Sequence, residues 1–277
     1  MSVIVGLGAA WVLILIGMVL KGGSILGILN LPALLMVFGG TFGALIASFG
    51  LKRFGRSLSL VKVAMREPPD TRPDTIEQLV GFSEKARREG LLVLEDDARA
   101  VEDPYLARGV RLVVDGTDPE LVKDIMETEL DAMEERHRAN QRVFQQGGAF
   151  APTIGILATV LSLVSVLQHL DKPETLGPAI SAAFLATFYG VAVANILFLP
   201  IANALKARTE HEASERTIVI EGVLSIQSGD NPRVLGEKLW SFLPPEARRG
   251  DERATAGAGS DAGAATRDRD ERVAQAA

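Results

Sequence analysis

Apolar and polar positions in this chain are segregated into long blocks rather than mixed. Four stretches, about 3–20, 31–49, 147–168 and 178–205, are almost wholly apolar or small and contain no Asp, Glu, Lys or Arg. Each is near or above the ~20 residues that a membrane helix needs. The first lacks the basic leader of a cleaved signal peptide, since only Met1 and Ser2 precede it, and is expected to be retained as a span. Between the second and third stretches the pattern changes to helical periodicity. Residues 75–89 place Ile76, Leu79, Val80 and Ala86 on one side. Residues 119–144 place Leu121, Ile125, Leu130 and Met133 on one side of a long charged segment. Pro68, Pro69 and Pro73 interrupt the chain ahead of the first of these helices, and strand-like alternation is absent. The expectation is an all-α polytopic membrane protein with four transmembrane helices and a helical cytoplasmic domain.

Charge sharpens this picture. Mean hydropathy is positive at +0.20 although 23% of residues are charged, and nearly all of that charge lies in 52–142 and after residue 206. Lys52, Arg53, Arg56, Lys62 and Arg66 follow the second stretch, and Lys206 and Arg208 follow the fourth. The first connection holds only Lys21, and that between the third and fourth stretches holds Asp171, Lys172 and Glu174. The positive-inside rule then puts both termini in the cytoplasm of an inner-membrane, multi-pass protein. The expected organisation is a first hairpin at 1–50, a cytoplasmic helical domain at 51–146, a second hairpin at 147–205 and a cytoplasmic helical segment at 206–245. The tail, 246–277, is rich in Ala, Gly, Arg and Asp and reads as disordered.

Composition also excludes function classes. A net charge of −6 argues against nucleic acid as a partner. There is no Cys, and His137, His169 and His211 show no metal-ligand spacing, so no cofactor or metal is expected. No triad or carboxylate pair suggests an enzyme. Membrane proteins that move ions usually keep an ionisable group inside the bilayer. This chain instead keeps prolines, hydroxyls and small residues there, so any charge must come from a partner chain.

Small residues four apart, Gly39, Gly43 and Ala47, in the second stretch, and a similar small stripe at Ala183, Thr187, Gly190 and Ala194 in the fourth, read as helix-packing stripes. Pro152, Gly155, Thr159 and Ser162 fall roughly on one face of the third. Pro152 and Pro200 lie toward the cytoplasmic ends of their stretches, so two helices share a weak point near one depth. A freed carbonyl near Thr153, Thr159 and Thr187 would suit a transient cation. Alternatively, Pro152 sits in the first turn of an apolar helix, where proline is tolerated.

The ordered set of motifs resembles the MotA/PomA family of flagellar motor stator subunits over nearly all of 1–245. It comprises Gly39-Gly40-Thr41 in the second stretch, Ala86-Arg87-Arg88-Glu89-Gly90-Leu91-Leu92-Val93-Leu94-Glu95, Ala151-Pro152-Thr153-Ile154-Gly155 through Thr159, Phe188-Tyr189-Gly190 through Asn195 to Pro200, and Gly229-Asp230-Asn231-Pro232-Arg233. The resemblance implies a pentamer around a dimer of a single-span MotB or PomB partner that supplies a membrane Asp. It also implies torque on the rotor protein FliG, in flagellum-dependent motility and chemotaxis. By position, Pro152, Thr159, Thr187 and Pro200 match the ion pathway and its conformational coupling, and Arg87, Arg88 and Glu95 match rotor-interacting charges. Ala158 and Ser162 stand where the family commonly has Gly. Ala186 stands where sodium-driven relatives tend to have Thr, which tilts the ion toward protons with Na+ the alternative. The competing resemblance is to ExbB/TolQ-type energisers of outer-membrane processes. The N-terminal hairpin and the Arg87–Glu95 element argue against it.

Overall fold

Proline and a short polar cap open most of the helices in the computed structural model, which describes residues 2–66, 69–171 and 173–245. The expected disordered tail, together with Pro68 and Lys172, lies outside those residues. Among the described residues there are nine α-helices, two short 3-10 helices at Ile25–Ile28 and Leu91–Val93, and no strand. The α-helices are α1 (Ser2–Leu20), α2 (Leu31–Phe49), α3 (Leu51–Ala64), α4 (Arg72–Glu89), α5 (Leu94–Ala100), α6 (Pro104–Val114), α7 (Pro119–Gln168), α8 (Pro173–Ser228) and α9 (Pro232–Trp240). Asn30 caps α2 by accepting from Ala33 N at 3.0 Å, with Pro32 in the first turn. Asp103 and Asn231 do the same for α6 and α9, with Pro104 and Pro232 just inside. Such a cap satisfies an amide that the helix cannot, and proline gives up none that the helix would use. Glycines at positive φ end α2 and α4: Gly50 at 76° and Gly90 at 88°.

Helices α2, α7 and α8 are long and apolar enough to cross a membrane, whereas the apolar part of α1, Val5–Leu20, is shorter. Two of the expected boundaries disappear. The charged segment and the third apolar stretch are one 50-residue helix, so Pro152 lies deep inside α7 rather than in a first turn. Polarity changes along that helix without breaking it, because Gln145, Gln146 and Gly147 neither cap nor terminate a helix. The fourth stretch likewise continues within α8 as far as Ser228, through a π-turn at Ala194–Phe198.

Two compact units form. One comprises Met1–Pro68 with Asp131–His211; its core joins Leu45 of α2, Phe144 and Ala151 of α7, and Val193, Phe198 and Ile201 of α8. The other comprises Pro69–Leu130 with Glu212–Ala277. Its core gathers Ile76 and Leu79, Leu94, Leu106 and Val110, Val122 and Met126, Ile218 and Val219, and Leu235 and Leu239. The periodicity placed Ile76, Leu79 and Met133 in the interior correctly, but in the first turns of α7 the fully buried residues are Val122 and Met126, while Leu121 is half exposed and Ile125 and Leu130 are partly buried. The one-residue shift follows the neighbours available to the helix, since both registers are apolar at helical spacing.

In this second unit, large and small residues interlock. A Cβ on Gly222 would stand 2.6 Å from a methyl of Leu79, which is itself fully buried. Leu79→Ala should destabilise by about 2–5 kcal/mol and Gly222→Ala by about 1–3 kcal/mol. The double variant should lose less than the sum, because the smaller side chain makes room for the new methyl. Thermal unfolding midpoints of the four proteins read this directly, and strict additivity would show that the two positions do not share a contact.

Candidate functional site

In the first unit, α7 and α8 touch backbone to backbone. An added Cβ on Gly190 would lie 2.5 Å from the Ala151 carbonyl oxygen and 3.1 Å from Gly155 Cα. One on Gly155 would lie 2.9 Å from the Ala186 carbonyl oxygen and 3.2 Å from Gly190 Cα. Only glycine permits this approach, and close backbone contact is how membrane helices associate without charge. One turn further along α7, Thr159 Oγ1 lies 2.5 Å from Thr187 Oγ1, 2.9 Å from the Ala183 carbonyl and 2.9 Å from its own Gly155 carbonyl. Two hydroxyl protons face four oxygens, so acceptors outnumber donors at this point. Beside it, Ala158 and Ala186 are buried in the same small cluster as Tyr189.

The proline positions are separated by about a turn. Leu199, next to Pro200, is the side chain that a Cβ on Gly148 would strike at 2.6 Å, and Gly148 lies four residues before Pro152. Pro152 has no amide to give the Gly148 carbonyl, so the α7 ladder is interrupted at the turn where α8 presses against it. Pro200 follows directly on the π-turn Ala194–Phe198, which already loosens α8. Thr153, by contrast, turns back onto its own helix and donates to the Phe150 carbonyl at 2.8 Å or the Ala149 carbonyl at 3.0 Å. The structure therefore brings Thr159 and Thr187 together and leaves Thr153 out.

The small-residue stripe of α2 behaves differently from expectation. Gly39 and Gly43 are exposed and would accept a Cβ with nothing within 4 Å, whereas Gly40 packs on Ile154. Within this chain α2 instead buries Ala33, Val37, Thr41 and Leu45, one residue per turn. Spacing alone could not tell which of two interleaved small faces would find a neighbour.

Two residues emerge only from the tertiary structure. The buried Tyr189 hydroxyl accepts from Asn30 N at 3.1 Å and donates to the Ile28 carbonyl, tying α8 to the loop before α2. Gln141, also buried, donates to Thr209 Oγ1 at 2.8 Å. An isolated Gln on a charged helix and an isolated Thr carry no sequence signal that they pair.

In the second unit, Arg87 and Arg88 occupy the last turn of α4, Gly90 ends it, and Glu95 sits in the first turn of α5 beside Asp96 and Asp97. Cations at a helix C-terminus and anions at an N-terminus both complement the macrodipole. Lys85 Nζ bonds Asp97 Oδ2 at 2.7 Å and holds the two helices together at this corner. That hydrogen bond raises the lysine above its ordinary pKa, against a smaller desolvation effect. Stability from a raised lysine is present below the unfolded pKa and is lost only as pH rises through the folded one, so the tie is intact at neutral pH. Arg87, Arg88 and Glu95 are all exposed; Glu95 pairs with Arg99 at 2.6 Å, Arg88 with Glu84 at 3.7 Å, and Leu92 between them is 74% exposed. Arg87 and Glu95 do not pair with each other.

These features have counterparts in known proteins. The model of the MotA/TolQ/ExbB proton channel family matches residues 97–218. Motility protein A of Bacillus subtilis is 41% identical over 249 residues, covering 88% of this chain and 91% of that protein. The chain belongs to the MotA family of flagellar stator proteins. The flagellar MotAB stator complex from Bacillus subtilis contains a chain of 38% identity with a TM-score of 0.84, covering 90% of this chain and 99% of that one. The C. jejuni MotAB structure gives 31% identity and a TM-score of 0.83, over 88% of this chain and 96% of that one. The match to the motility protein covers 88% of the chain, far more than the proton-channel model, whose match begins at residue 97. With its apolar helices, this makes the chain a membrane protein.

The helix contact yields a direct contrast. Gly190→Ala should lower the stability of the detergent-solubilised protein by about 1–3 kcal/mol, because the Ala151 backbone cannot move aside. Gly43→Ala meets open space in the chain and should leave the unfolding midpoint unchanged. Equal effects would mean that the Gly155–Gly190 crossing is not the tight point of the unit.

Proposed function

We propose that this chain is the torque-generating stator subunit of a bacterial flagellar motor, working with a single-span MotB-like partner that supplies a membrane Asp. The observation that carries the reading is the Thr159–Thr187 oxygen cluster one turn from a backbone-tight, charge-free helix crossing. All four apolar stretches act as spans, with α1 completing the set and both termini, residues 51–146 and the segment 206–245 in the cytoplasm. The protein sits in the inner membrane and assembles as a pentamer around a partner dimer.

The chemistry follows from the excess of acceptors. A carboxylate brought into this low-dielectric space has its pKa raised by desolvation and takes up a proton. The protonated acid adds a hydrogen-bond donor to a cluster in which acceptor oxygens outnumber the two hydroxyl protons; the ionised form adds only acceptors. Protonation therefore changes how the partner helix docks on α7, and the interrupted ladder at Pro152, with the π-turn before Pro200, lets the helices respond. The conducted ion is a proton, consistent with Ala186 in the buried cluster beside Thr187; Na+ is the alternative. Each proton crossing 100 mV delivers about 2.3 kcal/mol. An exposed ion pair is worth ~0–1 kcal/mol, so one proton suffices to break a few contacts between the Arg87, Arg88 and Glu95 corner and the rotor protein FliG.

The ExbB/TolQ reading shares the proton-channel segment but leaves the similarity to a motility protein over 88% of the chain without explanation. Deleting the gene decides between them: the stator reading expects paralysed cells with normal filaments, rescued by the intact gene. Cells that still swim but lose outer-membrane energisation would support the other.

Within that reading, Pro152→Leu restores the missing amide and should leave the protein in the membrane while abolishing rotation. Normal motility in this variant would remove Pro152 from the coupling. Reversing charge at Arg87 or Glu95 should lower torque, as read from tethered-cell rotation under load, and a matching reversal on the rotor should restore it. If both single reversals and the pair rotate normally, the rotor contact lies elsewhere.

A further inference from the structure

Just beyond the cytoplasmic end of α2, α3 and α7 enclose a groove of about 500 Å3 lined by Lys52, Arg53 and Arg56 from α3 and by Glu135, Arg136 and Asn140 from α7. Four cations face one carboxylate. All four cations are exposed, and none forms an ion pair or side-chain hydrogen bond among the described residues. Several other surface cations are held by carboxylates. Arg138 is held by Glu134 at 2.5 Å, and Arg216 by Glu212 at 2.9 Å. The neighbouring groove around Gln141 also mixes Arg138, Arg142 and Lys206 with Glu134 and Glu210. Like charges left together without partners cost free energy unless an anion joins them.

The depth of the groove indicates which anion. Gly40 of α2 packs on Ile154 of α7, and residues 52–56 line the groove with residues 135–140, so the two stretches run antiparallel. Arg53 comes four residues after Phe49, the last residue of the charge-free stretch, and Asn140 comes seven before Gly147, roughly 10 Å along the helix. The polar layer of a bilayer extends about 5–7 Å beyond the hydrocarbon on each side, and arginine and lysine side chains reach further toward it by snorkelling. Leu51 and Leu58 are 70% and 53% exposed on the same helix, an apolar edge beside the basic one. A headgroup with acyl chains satisfies both edges, and a free phosphate only one.

We propose that this groove binds the headgroup of an anionic phospholipid of the cytoplasmic leaflet, with Lys52, Arg53, Arg56 and Arg136 on its phosphate and Leu51 and Leu58 against its acyl chains. The proposal rests on the membrane placement of α2 and α7 but not on the rotor contact. Clustered basic side chains at this depth select anionic over zwitterionic lipid.

The test uses the chain purified from membranes with its MotB-like partner, delipidated in detergent and titrated with phosphatidylglycerol or phosphatidylcholine under native mass spectrometry. Wild type should bind phosphatidylglycerol in preference to phosphatidylcholine. The triple variant Arg53→Gln, Arg56→Gln, Arg136→Gln should lose phosphatidylglycerol affinity by at least about tenfold. Removing three exposed cations elsewhere (Arg111→Gln, Lys123→Gln, Arg233→Gln) should leave it unchanged. Equal lipid binding by wild type and the groove variant overturns the proposal, as does an equal loss in the control variant. A groove variant that loses oligomeric mass while still binding lipid overturns it in favour of a contact between copies. Carbonate extraction of the membranes reads the placement separately: release of wild type into the wash would overturn that placement, and this proposal with it.

Discussion

The structure depends on how closely α7 and α8 approach at Gly155 and Gly190. Helices in lipid gain nothing from burying apolar surface against one another, so contact distance and polar pairing hold them. A methyl at Gly190 would overlap the Ala151 carbonyl, and this is what sets the distance. At this separation the Thr159 and Thr187 hydroxyls meet one turn away, and Ala158 and Ala186 are buried beside them. A wider crossing would leave each hydroxyl to its own helix, as Thr153 is.

Pro152 lies between Ala151 and Gly155, within the turn that α8 presses on. An interrupted backbone ladder usually marks where a helix can bend. Here the interruption coincides with the tightest contact, so a change in what docks against α7 acts on a helix that is both constrained and locally weak. The π-turn and Pro200 give α8 a comparable weak point about one turn away. Neither helix brings a charge to this region.

The second unit works with different physics. Its core is a conventional apolar one, with Leu79 seated on Gly222 and Met126 against Gly109. Its charges lie on helix ends, where Arg87, Arg88 and Glu95 complement the local dipoles and remain solvated. Exposed charges of this kind contribute little to stability, which leaves them available for contacts outside the chain. The Lys85–Asp97 bond holds the corner on which they stand.

Segregation of charge fixed the helical class, the apolar spans and the polar character of what joins them, because a bilayer admits no unpaired backbone and few charges. The corner at Gly90 was equally legible: a glycine after two arginines and before an acidic turn is a local signal. Helix ends were less so. Pro152 read as a first-turn proline because composition changes near it, yet α7 runs through, since a change of polarity does not break a helix. The register of α7, the face of α2 that is buried within this chain and the Tyr189 and Gln141 bonds were decided by neighbours distant in sequence. Periodicity shows which residues share a face, and only packing determines which face is buried. The sequence alone thus established that this chain carries hydroxyls, prolines and no charge into the bilayer. Tertiary structure decided that Thr159 and Thr187 meet, because two glycines on different helices let the backbones touch.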